Sequence, residues 1–149
     1  LIMQILEDIK IYWKRIIGYT LVLLVVNLFL SMIALVFVNQ RKDNVTELVT
    51  FISFFISGIF APFFEETLMR GIIQNQLELK TNLSTRSIYI IVAILFSLSH
   101  LNLYFIPYFM TSLILSFVYD NSDKRLIVPV TIHCFYNLIV ILLSVVFYT

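Results

Sequence analysis

Phe64-Glu65-Glu66-Thr67-Leu68-Met69-Arg70 sets three ionisable side chains inside an otherwise apolar segment. A charge at the centre of a bilayer costs roughly 3 kcal/mol on insertion scales, so such residues are candidates for function. Two later apolar segments repeat the anomaly, one with His100 and one with His133 and Asn137. Four-residue spacing puts Glu66 and Arg70 on one helix face, where they can form an ion pair. Glu65 points about 100° away from Glu66, has no obvious local partner and is free to face a cavity. Pro62 lacks an N–H for the turn back to Gly58, and a kink there would admit water beside the carboxylates.

The surrounding chain has the composition of an integral membrane protein. Of its 149 residues 60% are hydrophobic and 13% charged, and the mean hydropathy is +0.98; soluble domains carry about 25% charged residues. Ten Lys and Arg against nine Asp and Glu give no argument for a nucleic-acid partner. The single cysteine, Cys134, excludes an internal disulfide.

A spanning helix needs about 20 mostly apolar residues, and five windows qualify or nearly do: Ile16 to Val38, Leu48 to Gln76, Ile88 to Leu103, Phe105 to Tyr119, and Leu126 to Tyr148. Residues 1–15 read as a short interfacial helix, with Ile2, Ile5, Leu6, Ile9 and Trp13 near helical spacing. An amphipathic lead-in to the first span accounts for them equally well. The expected fold is therefore all-α, a polytopic bundle of about five spans over 16–149 behind that lead-in.

With five spans, one side of the membrane receives Lys10, Lys14, Arg15, Lys80, Arg86, Lys124 and Arg125. The other receives only Arg41 and Lys42. The positive-inside rule then places the N-terminus in the cytoplasm.

Taken singly, each polar residue has a structural reading. Glu66 and Arg70 make a salt bridge, His100 a hydrogen-bonded helix end, and His133 with Asn137 a tie between helices. Together they are sufficient in kind for peptide-bond hydrolysis. A carboxylate and a histidine hold a water with the carboxylate as general base, and a histidine and an amide stabilise the oxyanion. The chain has no His-Glu-x-x-His, no Gly-x-Ser-Gly and no Gly-x-Gly-Asp, the motifs of the competing membrane-protease chemistries.

Glu65-Glu66-x-x-x-Arg70, Phe96-x-x-x-His100 and His133-x-x-x-Asn137, in that order on separate apolar segments, resemble the signature of the CAAX protease and bacteriocin-processing family. This is the Abi, or type II CAAX prenyl endopeptidase-like, family. The similar core covers roughly Leu48 to Leu143. The resemblance implies an intramembrane glutamate-dependent endopeptidase, with Glu65 as general base sharing a water with His100. It implies an oxyanion pocket from His133 and Asn137, with Glu66 and Arg70 orienting the site or binding substrate. No cofactor is expected; a Glu-His-His cluster is able to bind zinc, but the metal-free reading is favoured because an Asn amide is a poor metal ligand and a good oxyanion donor. Where relatives often carry glycines after the second motif, this chain has Thr111, Ser112 and Ser116.

Richness in Ile, Phe and Asn points to an AT-rich bacterial genome. The expected partners are the lipid bilayer and a peptide or membrane-protein substrate, in pheromone, leader or bacteriocin processing or in bacteriocin self-immunity. An inactive immunity or regulatory protein binding a peptide or a sensor kinase is the alternative; a small transporter comes third. Glu65, His100, His133 and Asn137 are expected to converge on one cavity opening toward the cytoplasmic side. By depth this is demanding. His100 lies ~18 Å into its span and His133 only ~9–10 Å into its own, at ~1.5 Å per residue.

Overall fold

The computed structural model describes residues 2–37, 54–100 and 105–148. Among them no strand occurs, and five helical stretches pack together. Helix α1 is Ile2–Phe37. A compound helix, α2, covers 54–80, with π geometry over Ile56–Phe60 and Thr67–Gln74 and α geometry over Ala61–Glu66 and Asn75–Lys80. Helices α3 (Thr85–Ser99), α4 (Phe105–Asp120) and α5 (Ile127–Tyr148) follow. The expected windows match these helices within their described parts. Val38, 48–53 and 101–103 lie outside the described residues.

The lead-in differs from the expected separate helix. No break separates residues 2–15 from the first span, because nothing between Ile2 and Phe37 is a proline or a capping cluster. Two helical segments, Ile2–Met32 and Ile127–Val146, are long and apolar enough to cross a membrane. Thr85–Ser99 and Phe105–Asp120 are apolar but shorter.

The distribution of polarity is that of a membrane bundle. On α1, Leu21, Val25, Leu28, Phe29 and Met32 are exposed while Thr20 and Asn27 are buried. Ser97, Thr111, Ser112 and Ser116 are buried likewise, small hydroxyl side chains of the kind that let membrane helices approach. One apolar core joins Ile16 and Leu23 to Leu115, Val118, Val128 and Ile132; a second joins Met69 to Ile88, Val92 and Phe96. Gly58 lets α5 close against α2, since a Cβ there would run into the Leu138 side chain.

Local signals set the turns. Ser84, extended, caps α3 by accepting from the Ser87 N–H at 3.2 Å. Asp123 and Lys124 take left-handed backbone with φ of 51° and 55°, unfavourable for side chains with a Cβ. Their turn is clamped from two sides. Tyr12 and Arg15 of α1 donate to Asp123 and to the Asn121 carbonyl, and Asp8 pairs with Arg125 at 3.7 Å. Lys124 meets Glu78 of α2. The N-terminal part of α1, the end of α2 and this turn thus share one end of the bundle, and the seven cations of the sequence cluster there.

Candidate active site

Two segments of π geometry flank the carboxylates. Within Ile56–Phe60 backbone bonds reach five residues back, as in the bond from the Ala61 N–H to the Ile56 carbonyl. The next carbonyl, that of Ser57, is the one Pro62 would meet if it had an N–H. Asn137 fills the gap: its Nδ2 donates to the Ser57 oxygen at 2.9 Å. The missing bond therefore falls on Ser57 rather than on Gly58, because the helix is wound π and not α at that point. Wide turns of this kind recur at functional sites.

Glu66 and Arg70 are wholly buried and paired at 3.1 Å. The same Glu66 oxygen accepts from Nδ1 of His133 at 2.8 Å. Arg70 also donates to the Ser112 carbonyl and hydroxyl, both at 2.8 Å, and its guanidinium lies over the Phe96 ring. Buried charge is thus met by opposite charge and by hydrogen bonds, although Glu66 Oε2 and Arg70 Nε have no hydrogen-bond partner among the described residues.

Glu65 is the more accessible carboxylate, with 30% of its side chain exposed. One of its oxygens lies 3.9 Å from Nε2 of His100 and the other 3.8 Å from Nε2 of His133. Both rings are fixed by their other nitrogen. His100 donates Nδ1–H to the Phe96 carbonyl at 2.8 Å and stacks on Tyr108; His133 donates to Glu66. A carbonyl and an ionised carboxylate accept only, so each ring turns Nε2 toward Glu65. The separations exceed a direct hydrogen bond and leave Glu65 able to engage a third group.

The structure therefore brings together all six residues singled out in the sequence. The depth conflict dissolves because α2 and α3 form a hairpin that overshoots the 121–126 turn. Gln74, not the end of α2, is level with Asp120, bonding it at 2.9 Å. Helix starts thus mark different heights, and Glu65 and His100, on opposite arms of the hairpin, return to the same level.

A cavity of about 450 Å³ holds Glu65, His100, His133 and Asn137. Its other walls include Asn27, Ser57, Thr111 and Tyr136. It runs away from the cation-rich end, contrary to the expected opening toward that side. Along α2 the side chains Glu66, Arg70, Gln74 and Glu78 face His133 and Ser112, Asp120 and Lys124. Tyr89 adds a bond to Asp120 at 2.6 Å. This ladder fills the bundle on the cation-rich side. A separate apolar groove of about 440 Å³, lined by Phe64, Leu68, Met69 and Ile72, also reaches Glu65.

Gln74, Asp120, Tyr108 and Asn27 were not singled out in the sequence, and Ser112 only as a position where relatives often carry glycine. The signal for most of them is a four-residue repeat of polar positions: 66, 70, 74 and 78 on α2, and 108, 112, 116 and 120 on α4. Among the described residues no three His, Cys, Asp or Glu groups are arranged to hold a metal ion. Asn137 directs an amide hydrogen at a carbonyl, so its nitrogen is no ligand.

No curated protein and no solved structure matches the chain. Residues 47–139 match the family described as Type II CAAX prenyl endopeptidase Rce1-like, and the match covers more than half of the chain and includes all of α2, α3 and α4. The chain belongs to this family of membrane-embedded proteases.

Proposed function

We propose that the chain is an intramembrane endopeptidase in which Glu65 is the general base and a water beside it the nucleophile. The observation that carries this reading is the facing of the two Glu65 oxygens by Nε2 of His100 and Nε2 of His133, at 3.9 and 3.8 Å. Water attacks the peptide carbonyl carbon and gives a proton to Glu65. Glu65 returns that proton to the departing nitrogen as the C–N bond breaks, which leaves an acid and an amine. His100, with Nδ1 tied to backbone, accepts from the same water and orients it.

The oxyanion is held by the second amide hydrogen of Asn137 and by Nε2–H of His133 as an imidazolium. Glu66 supports that imidazolium through Nδ1. With His133 protonated, the charges of Arg70, His133, Glu65 and Glu66 sum to zero, which suits a low-dielectric bundle. The cation-rich end and the N-terminus lie in the cytoplasm of a bacterial membrane by the positive-inside rule. The substrate is a membrane-associated peptide, such as a leader, pheromone or bacteriocin precursor, that reaches Glu65 from the bilayer.

The test compares new N-termini in membranes expressing the wild type and Glu65→Gln at equal abundance. The variant keeps size and hydrogen bonding but loses the base. Termini that depend on the wild-type protein should fall ~100- to 10,000-fold. Full biological function in Glu65→Gln would replace the protease with a non-catalytic immunity or regulatory role.

A further inference from the structure

Helix α1 precedes the 47–139 segment that matches the protease family, yet it supplies a wall of the cavity through Asn27 and Ser31. Asn27 is buried, and its orientation follows from its partners. Nδ2 donates one hydrogen to the Leu23 carbonyl and the other to Oγ1 of Thr111, both at 3.0 Å. A carbonyl only accepts, so the amide is not reversed. Both hydrogens are thereby used, and Oδ1 makes no hydrogen bond to any described residue. Asn27 lines the cavity and its Oδ1 stays accessible, so this unused acceptor is open to a donor that enters that space.

We infer that Asn27 is a substrate-anchoring residue whose Oδ1 accepts a backbone N–H from the peptide lying beside Glu65; this rests on the protease reading above. Thr111 lines the same cavity and holds the amide in place. The cavity that holds the catalytic carboxylate thus also carries a fixed acceptor, complementary to an extended peptide backbone. An isoprenoid or acyl chain has no donor for it. Specificity at this wall is for a secondary amide, whatever the neighbouring side chains of the substrate.

The full chain in lipid nanodiscs is assayed on a library of quenched fluorogenic peptides, with Glu65→Gln as the blank. The best peptide is then compared with its singly N-methylated analogues. N-methylation of the amide that meets Asn27 should raise the wild-type KM about tenfold, the scale of one hydrogen bond, with kcat nearly unchanged. Asn27→Leu, close in volume, should show the raised KM with the parent peptide and no response to that methylation. Thr111→Val, which frees the amide to turn, should show part of the same loss and serves where Asn27→Leu does not fold. Discrimination against N-methylation of wild-type size in both variants would overturn the inference and leave the protease reading standing. Turnover equal in wild type and Glu65→Gln would end the protease reading itself, and the inference with it.

Discussion

Nδ1 of His133 lies 2.8 Å from Oε1 of Glu66, although 67 residues separate them. That bond joins α5 to α2 and decides which ring nitrogen faces Glu65. It also links the reacting centre to a wholly buried ion pair, because the same oxygen meets Arg70 at 3.1 Å. Adjacent carboxylates therefore differ sharply in role. Glu66 is an internal anchor, and Glu65 is open to the cavity.

Arg70→Met should destabilise the protein by about 3–5 kcal/mol, the usual effect of removing one partner from a buried ion pair. The double variant Glu66→Leu, Arg70→Met should recover part of that stability, because neither charge of the pair is left without the other. It should not recover activity, since His133 then lacks its Nδ1 anchor. Thermal unfolding in detergent, run beside peptide turnover, checks both halves. Wild-type stability in Arg70→Met would rule out this account of the pair.

Asn137 has a structural load that an oxyanion donor alone would not carry. Asn137→Ala leaves the Ser57 carbonyl without its donor, so stability should drop by about 1–3 kcal/mol in addition to a loss in kcat of ~100- to 1,000-fold. Pro62→Ala introduces an N–H where that carbonyl needs one. In the Pro62→Ala background, Asn137→Ala should therefore cost much less stability, while the loss in kcat persists. A double-mutant cycle with no coupling in stability would refute the assignment of Asn137 to the carbonyl that proline leaves open.

The helices and the six polar residues were legible in the sequence because charge in an apolar run has few explanations other than a paired interior site. Five apolar windows also locate helices well in a chain with few polar interruptions. The direction of the cavity was not legible. It depends on which end of the bundle is filled, and that is decided by Gln74, Asp120 and Ser112 meeting across two helices. Gln74 and Ser112 read as ordinary polar residues until α2 and α4 are seen side by side. The π winding at Ile56–Phe60 left no sequence signal beyond Pro62, which indicated a missing bond without saying on which carbonyl it falls. Asn27 was hidden by its position, in an apolar span remote from the three motifs.

Lys124 offers a pH test of the clamp at the cation-rich end. Its hydrogen bond to Glu78 holds the ammonium pKa above the usual lysine value. A pKa raised in the folded state means stability that is fully present below the unfolded value, about 10.4, and lost as pH rises through the folded value. Lys124→Met should remove that alkaline loss. Half of the side chain is exposed, so solvent screening keeps the effect to at most about 1 kcal/mol. Unfolding temperatures between neutral and strongly alkaline pH provide the comparison. An unchanged alkaline slope in the variant would assign the pH dependence to other groups.

Chelation separates the two chemistries that a carboxylate and two imidazoles are able to perform. Zinc in a catalytic site binds three protein ligands at about 2.0–2.2 Å around one point. Here no three His, Cys, Asp or Glu groups among the described residues are arranged around one point, and Glu65 turns a different oxygen to each ring. Asn137, which a metal would not use, lines the same cavity as a donor. Prolonged dialysis against a strong chelator should therefore leave peptide turnover within about twofold of the untreated enzyme, against the ~100-fold or greater loss expected from removing the base. Glu65→Gln supplies the reference for complete loss in the same assay. Inactivation by the chelator, restored by zinc and not by calcium or magnesium, would place a metal at Glu65, His100 and His133 and displace the general-base mechanism.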